Sequence, residues 1–212
     1  MTLLRRNVTT GLFVLAISFA YAIIRYNVLK GVAWEQLPLL ISNKAISLAA
    51  VIFIALSYML GSLSRFFPNI FVSKLDMRKF LGLFGFGLAS VHILISLLIF
   101  SPQRYPNFFS DDGNLNLRGE LSMLLGILGF FVFTMIALAS IPGVINSQER
   151  ERWLTIQRLG YLGLILVFFH ILTMGWEGWL KPAGWPGGML PISLVAAIVI
   201  AAVLLLKITA LV

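Results

Sequence analysis

Cysteine is absent from this chain, histidine occurs only twice, and charged side chains make up just 11% of its 212 residues. Without cysteine there is no disulfide, no iron–sulfur cluster, no thiolate metal site and no covalent c-type haem attachment. The scarcity of charge removes the solvated surface that a soluble domain needs, and 59% of the residues are hydrophobic, so the chain reads as an integral membrane protein. Long polar connections are missing too. The longest, around 101–120, is far too short to be a domain, so these residues hold no separate nucleotide- or flavin-binding domain.

What is present is a set of charge-free runs at 7–24, 45–64, 80–103, 121–148, 159–176 and 182–206. Each is near or above the roughly 18 to 20 residues that a spanning helix needs. The expected fold is an all-α bundle of six transmembrane helices, forming one domain over residues 1–212. The formal net charge of +8 invites a nucleic-acid reading, but the placement of the charges argues against it. With the N-terminus inside, the inner segments carry Arg5, Arg6, Arg65, Lys74, Arg78, Lys79, Arg152 and Arg158 against few acids. In the outer segments Arg25, Lys30, Lys44, Arg104, Arg118 and Lys181 are nearly balanced by Glu35, Asp111, Asp112, Glu120 and Glu177. Basic excess on one side is the positive-inside pattern, and it places both termini in the cytoplasm.

Arg5-Arg6 before an apolar run, with Ala20-Tyr21-Ala22 after it, has the look of a signal peptide, yet the stretch reads as a retained first helix over about 8–27. Pro38 marks an irregular start to the second span, about 44–63. The third span is expected at about 77–99, the fourth at about 121–141 with a stop at Pro142-Gly143, the fifth at about 158–176 and the sixth from about Met189. Gly126 and Gly129 in the fourth read as packing contacts. The segment QERER reads as a solvated turn. Asp111, Asp112 and Asn114 lack the ligand spacing of a calcium loop.

The two histidines carry the chemistry. His92 lies in the third span and His170 in the fifth, which run in the same direction, about nine and about six residues from their outer ends. At 1.5 Å per residue the two depths differ by only about 5 Å. An ionisable side chain at membrane depth is costly and tends to face the bundle interior. Each histidine has a glycine seven residues before it: one face reads Gly85, Ala89, His92, Ser96 and the other Gly163, Val167, His170, Met174. Small residues below each imidazole leave room for a flat macrocycle, and two neutral imidazoles suit a six-coordinate haem b built for electron transfer. Other readings stand beside it. Either histidine alone reads as a hydrogen-bonded core residue; a proton relay wants an intramembrane carboxylate, and zinc wants more ligands than two.

Arg78-Lys79-Phe80-Leu81-Gly82-Leu83 leading to His92, with Trp153, Gln157-Arg158-Leu159, Tyr161 and His170, resembles the six-helix ferric reductase-like transmembrane domain. Within that family the likeness is nearest to the haem-binding membrane subunit that serves the periplasmic methionine sulfoxide reductase. The resemblance covers the third to fifth helices; the others match only in hydropathy. It implies electron transfer from a cytosolic flavin, through haems held by histidines of the third and fifth helices, to an acceptor outside. It also implies a bacterial inner membrane. This chain departs from the family pattern where an inner haem would be held: Gln157 and Lys79 stand thirteen residues before His170 and His92. One haem b is therefore expected, with His92 and His170 as iron ligands, and electrons entering from an inner flavin or quinol or from the outer side. Arg158 and Tyr161 would line an inner donor pocket or serve as an interfacial anchor, and Arg104, Arg118 or Lys181 would neutralise haem propionates or be ordinary loop charges. A redox partner protein or larger membrane complex is implied, because no substrate-reducing centre is present. The rival expectation is a structural or assembly subunit that keeps the fold without electron transfer.

Overall fold

A computed structural model describes residues 2–141, 143–144 and 149–210, and these form six long apolar helices. α1 spans Leu3–Ile23, α2 Ser42–Phe66, α3 Met77–Ile99, α4 Leu117–Ala139, α5 Arg150–Trp179 and α6 Ile192–Thr209. Each is long and apolar enough to cross a membrane, where a helix satisfies its own backbone groups internally. The chain is an integral membrane protein.

Helix ends follow local chemistry more than hydropathy. Asn116 caps α4 by accepting from the Gly119 amide 3.0 Å away, so that helix starts four residues before its apolar run. α5 starts at Arg150, well before its own apolar run, which puts Trp153 and Gln157 inside the helix. α1 continues into a π-helical turn, Ile24–Leu29, and α2 is preceded by a second, Leu37–Ile41, with Pro38 in its first turn as the sequence led us to expect. The expected stop at Pro142 and Gln148 of the QERER segment lie outside the described residues, and the rest of that segment is not the solvated turn expected: Glu149 is the N-cap and residues 150–152 are the first turn of α5.

Cross-helix bonds give the up-and-down order. Asn43 at the start of α2 meets Ser96 late in α3, and Ser57 further along α2 meets Arg78 at the start of α3, so the pair is antiparallel. α4 and α5 are antiparallel for the same reason: Ser122 meets His170, and Ser140 meets Gln157. α6 packs on both α2 and α5 and joins the two pairs, while α3 and α5 scarcely touch. Small residues permit the tight pairs, as expected where lipid supplies no hydrophobic drive between helices. A Cβ on Gly85 would lie 2.8 Å from Ile54 Cγ1 and 2.9 Å from Phe53 Cβ; on Gly163 it would lie 2.9 Å from two ring carbons of Phe133. Gly85 therefore sets the approach of α2 to α3, and Gly163 that of α4 to α5.

Candidate functional site

His92 and His170 sit in the later halves of α3 and α5, one on each tight helix pair and both toward the same end of the bundle. Both rings are only partly buried, so each keeps accessible surface in mid-span. Among the described residues, no three His, Cys, Asp or Glu side chains converge as a bare-metal site.

The hydrogen bonds of the two rings match. His92 Nδ1 lies 2.8 Å from Asn43 Oδ1, and Asn43 Nδ2 donates to Ser96 Oγ at 2.9 Å. Asn43 is buried in the first turn of α2, and its amide ties His92 to the residue one turn further along α3. His170 Nδ1 donates to the Ser122 carbonyl oxygen at 2.8 Å, with Ser122 Oγ 3.3 Å away. A carbonyl oxygen only accepts, so the Nδ1 atoms carry the protons and the Nε2 atoms keep their lone pairs. Every recorded protein hydrogen bond of either ring runs through Nδ1. An imidazole fixed by an acceptor at one nitrogen, with the other free, is the arrangement of a metal-ligating histidine.

The partner helix in each pair supplies that acceptor, and also the room. A Cβ on Gly126 would lie 3.0 Å from His170 Nδ1 and 3.2 Å from Cε1, so the ring rests on a small surface made by Ser122 and Gly126, one turn apart on α4. Hydropathy and family likeness did not reveal Asn43 or Ser122, while Gly126, read as a packing contact, packs on His170 itself. The signals were available: an asparagine in the first turn and a serine in the second turn of apolar helices, and Ser122 and Gly126 at a spacing of four.

The expected propionate partners are placed differently. Arg118 is fully engaged: Nε donates to the Thr173 carbonyl at 2.8 Å, Nη1 pairs with Glu177, and the guanidinium stands 4.8 Å from the centre of the Phe108 ring. It fastens the start of α4 to the end of α5. Arg104 and Lys181 are exposed.

At the opposite end the bundle is closed. Tyr58 donates to the Gln157 carbonyl at 3.0 Å, and its ring meets Tyr161 edge-on at 5.0 Å between centroids. Gln157 Nε2 donates to Ser140 Oγ at 3.2 Å. A Cβ on Gly160 would overlap the Tyr58 hydroxyl, so α2 and α5 touch there through a side chain that only glycine admits. Lys207 stands over the Tyr161 ring at 5.3 Å, whereas Lys79 and Arg158 are exposed.

Two curated relatives are similar over 83% of this chain at 28% identity: the metalloreductase STEAP2 of Mus musculus and that of Homo sapiens. The metalloreductase STEAP3 of Rattus norvegicus is 27% identical over 66% of the chain. The chain spans less than half the length of these relatives, 42% of the first two and 34% of the third. The family described as ferric reductase like transmembrane component matches residues 46–168, which take in most of α2, all of α3 and α4 and the first part of α5, with His92 and Ser122 inside the match and Asn43 and His170 just outside it. That match covers more than half of the chain, and the chain belongs to the ferric reductase-like transmembrane family.

Proposed function

We propose that this protein is a membrane haem b subunit that carries single electrons across the bilayer, with His92 and His170 as the residues that would hold its iron through their Nε2 atoms. The observation that supports it most strongly is the paired Nδ1 hydrogen bonding, to Asn43 and to the Ser122 carbonyl, on two helices that scarcely contact each other. A bound haem b would supply one-electron redox chemistry. The chain's own residues do the rest. Asn43 and Ser122 fix the imidazole orientations, Gly126 gives the His170 ring its seat, and Gly85 and Gly163 act through helix spacing, holding each ligand helix against its partner.

Electrons would come from an inner-side or membrane donor, a flavin or a quinol, and leave to an acceptor on the outer side. Two acceptor classes follow from the likenesses. The curated relatives are metalloreductases, which points to a chelated metal ion. The likeness drawn from sequence to the membrane subunit of the periplasmic methionine sulfoxide reductase points to a partner protein. The proposed setting is a bacterial inner membrane, with both termini in the cytoplasm and residues 1–212 acting as one domain.

The visible spectrum of the purified protein tests the assignment. We expect a reduced haem b α-band that disappears in His92→Ala and in His170→Ala while the helical circular dichroism persists. A colourless protein with intact helices would favour the structural or assembly subunit instead. With the band in hand, oxidation of the reduced protein by a ferric chelate or by a reductase partner separates the two acceptor classes.

A further inference from the structure

At the histidine end of the bundle, Arg25 is buried to 6% relative exposure on α1's inward stripe, which runs Gly11, Val14, Ser18, Ala22 and then Arg25. Its Nε and Nη1 have no hydrogen-bond partner among the described residues, and the ion pairs formed by those residues, Arg118–Glu177 and Arg152–Glu149, do not involve it. An always-charged guanidinium held out of water without an anion is strongly unfavourable, so the arrangement calls for a negative group. A second cation faces the same place. Arg25 and Lys44 stand 5.3 and 5.2 Å from the centre of the same Tyr26 ring, and Lys44 follows Asn43, the residue bonded to His92. The π-helical turn that starts at Ile24 places Arg25 at this point, and π turns interrupt helices most often at functional sites.

We propose that Arg25, helped by Lys44, is the carboxylate-binding end of the cofactor site and pairs with a haem propionate. This rests on the haem reading above, and it replaces Arg104, Arg118 and Lys181 in that role. Arg25 is a positioning and charge-compensating residue; it touches the macrocycle's carboxylate edge, and the axial ligands remain His92 and His170. The guanidinium fork suits a carboxylate bidentately, and removing it leaves an uncompensated anion that favours the oxidised, more positive iron.

The test uses the purified full-length chain, stripped and reloaded with either native haem b or haem b dimethyl ester, which lacks both carboxylates. With native haem, Arg25→Gln should shift the ferric-to-ferrous equilibrium about tenfold toward ferric, which for one electron is about 59 mV lower potential. It should also speed haem loss, and Arg25→Lys should recover part of both effects. With the dimethyl ester, which has no carboxylate to pair, wild type and Arg25→Gln should lose haem at the same rate. An unchanged potential in Arg25→Gln with native haem, or an equal rise in haem-loss rate with the ester, overturns the proposal. Should Arg25→Gln fail to fold, the wild type alone decides: native haem retained about tenfold longer than the ester supports the pairing, and equal retention overturns it. Wild-type protein that takes up neither haem sinks the haem reading itself; uptake with an indifferent Arg25→Gln sinks only this one.

Discussion

The two ends of this bundle are built from the same six helices and treat polar groups in opposite ways. At the histidine end each imidazole commits one nitrogen to the protein and keeps the other, and a buried arginine keeps two donors unmatched. At the other end Gln157 uses its amide on Ser140 and its carbonyl on Tyr58, and Tyr58 fills the notch over Gly160. The contrast is local rather than complete, since Arg6, Asn7 and Trp153 at the Tyr58 end also leave buried polar atoms unmatched. Under the haem reading, the helix pairs carry the cofactor over one part of their length and pack on Tyr58 and Gly160 over another.

The largest test of that contrast is to try to make the closed end behave like the open one. The double substitution Lys79→His with Gln157→His supplies the imidazoles that the family pattern would place there. Because Lys79 is exposed and Tyr58 and Tyr161 occupy the space beside Gln157, we expect no second haem. Pyridine haemochrome analysis should give the same haem-to-protein ratio as the wild type. A doubled ratio would break the comparison.

Next comes the difference between the two acceptors at the open end. Asn43→Leu removes the partner that His92 Nδ1 has among the described residues, and loss of such a supporting hydrogen bond typically costs about 10–100-fold in metal affinity. Ser122→Ala leaves the backbone carbonyl that holds His170 in place, so its effect on haem retention should be only a few-fold. Haem dissociation rates of the two variants, measured by transfer to an acceptor globin, give the ratio. Equal rates would show that Asn43 does not orient the ring.

How much of this was legible beforehand differs between fold and site. Six charge-free runs were enough for six helices, because the bilayer forces any spanning segment to satisfy its own backbone. The helix ends were less legible: the Asn116 cap and the early start of α5 at Arg150 depend on single hydrogen bonds and on polar helical turns that hydropathy does not register. His92 and His170 stood out because charge at membrane depth is costly. Asn43 did not, since an asparagine beside a lysine at the edge of an apolar run reads as loop. Gly85 and Gly163 stood out for their position seven residues before each histidine and were expected to leave room for a macrocycle, but side chains of the partner helices, Phe53 and Ile54 at Gly85 and Phe133 at Gly163, occupy that space. What the sequence could not say is which way they face, and the structure turns both toward a neighbouring helix.

A smaller effect separates two glycines by what surrounds them. Gly160→Ala would drive a methyl into Tyr58 and should cost about 1–3 kcal/mol, the usual range for overpacking a tight core. Gly87 has no heavy atom within 4 Å of a built Cβ and lies on an exposed face of α3. Gly87→Ala should be neutral or stabilising by up to about 1 kcal/mol, since alanine is the better helix former. Unfolding in mixed micelles with increasing dodecyl sulfate ranks the two. A Gly160→Ala protein as stable as the wild type would mean that the closed end is not packed as tightly as its contacts indicate.

The smallest expected effect lies in the loop that leads into α4 and so toward the seat of His170. Asp112 accepts from the Asn114 amide at 3.1 Å and from Asn114 Nδ2 at 2.8 Å, and these bonds hold its carboxyl below the usual carboxylate range. The sign follows from linkage: a carboxylate whose folded pKa is depressed stabilises the turn at pH above its unfolded value, and that contribution fades as pH falls through the folded pKa. The side chain is fully exposed, so solvent screens the effect and global stability should not register it. Asn114→Ala removes the side-chain donor, and the Asp112 carboxyl should then titrate closer to an ordinary aspartate, seen by carbon-detected NMR. Because Asn116, two residues on, still caps α4 in that variant, the haem spectrum should be unmoved. A shifted spectrum would mean that the turn reaches the His170 site through α4, and that the open end of the bundle extends into its loops.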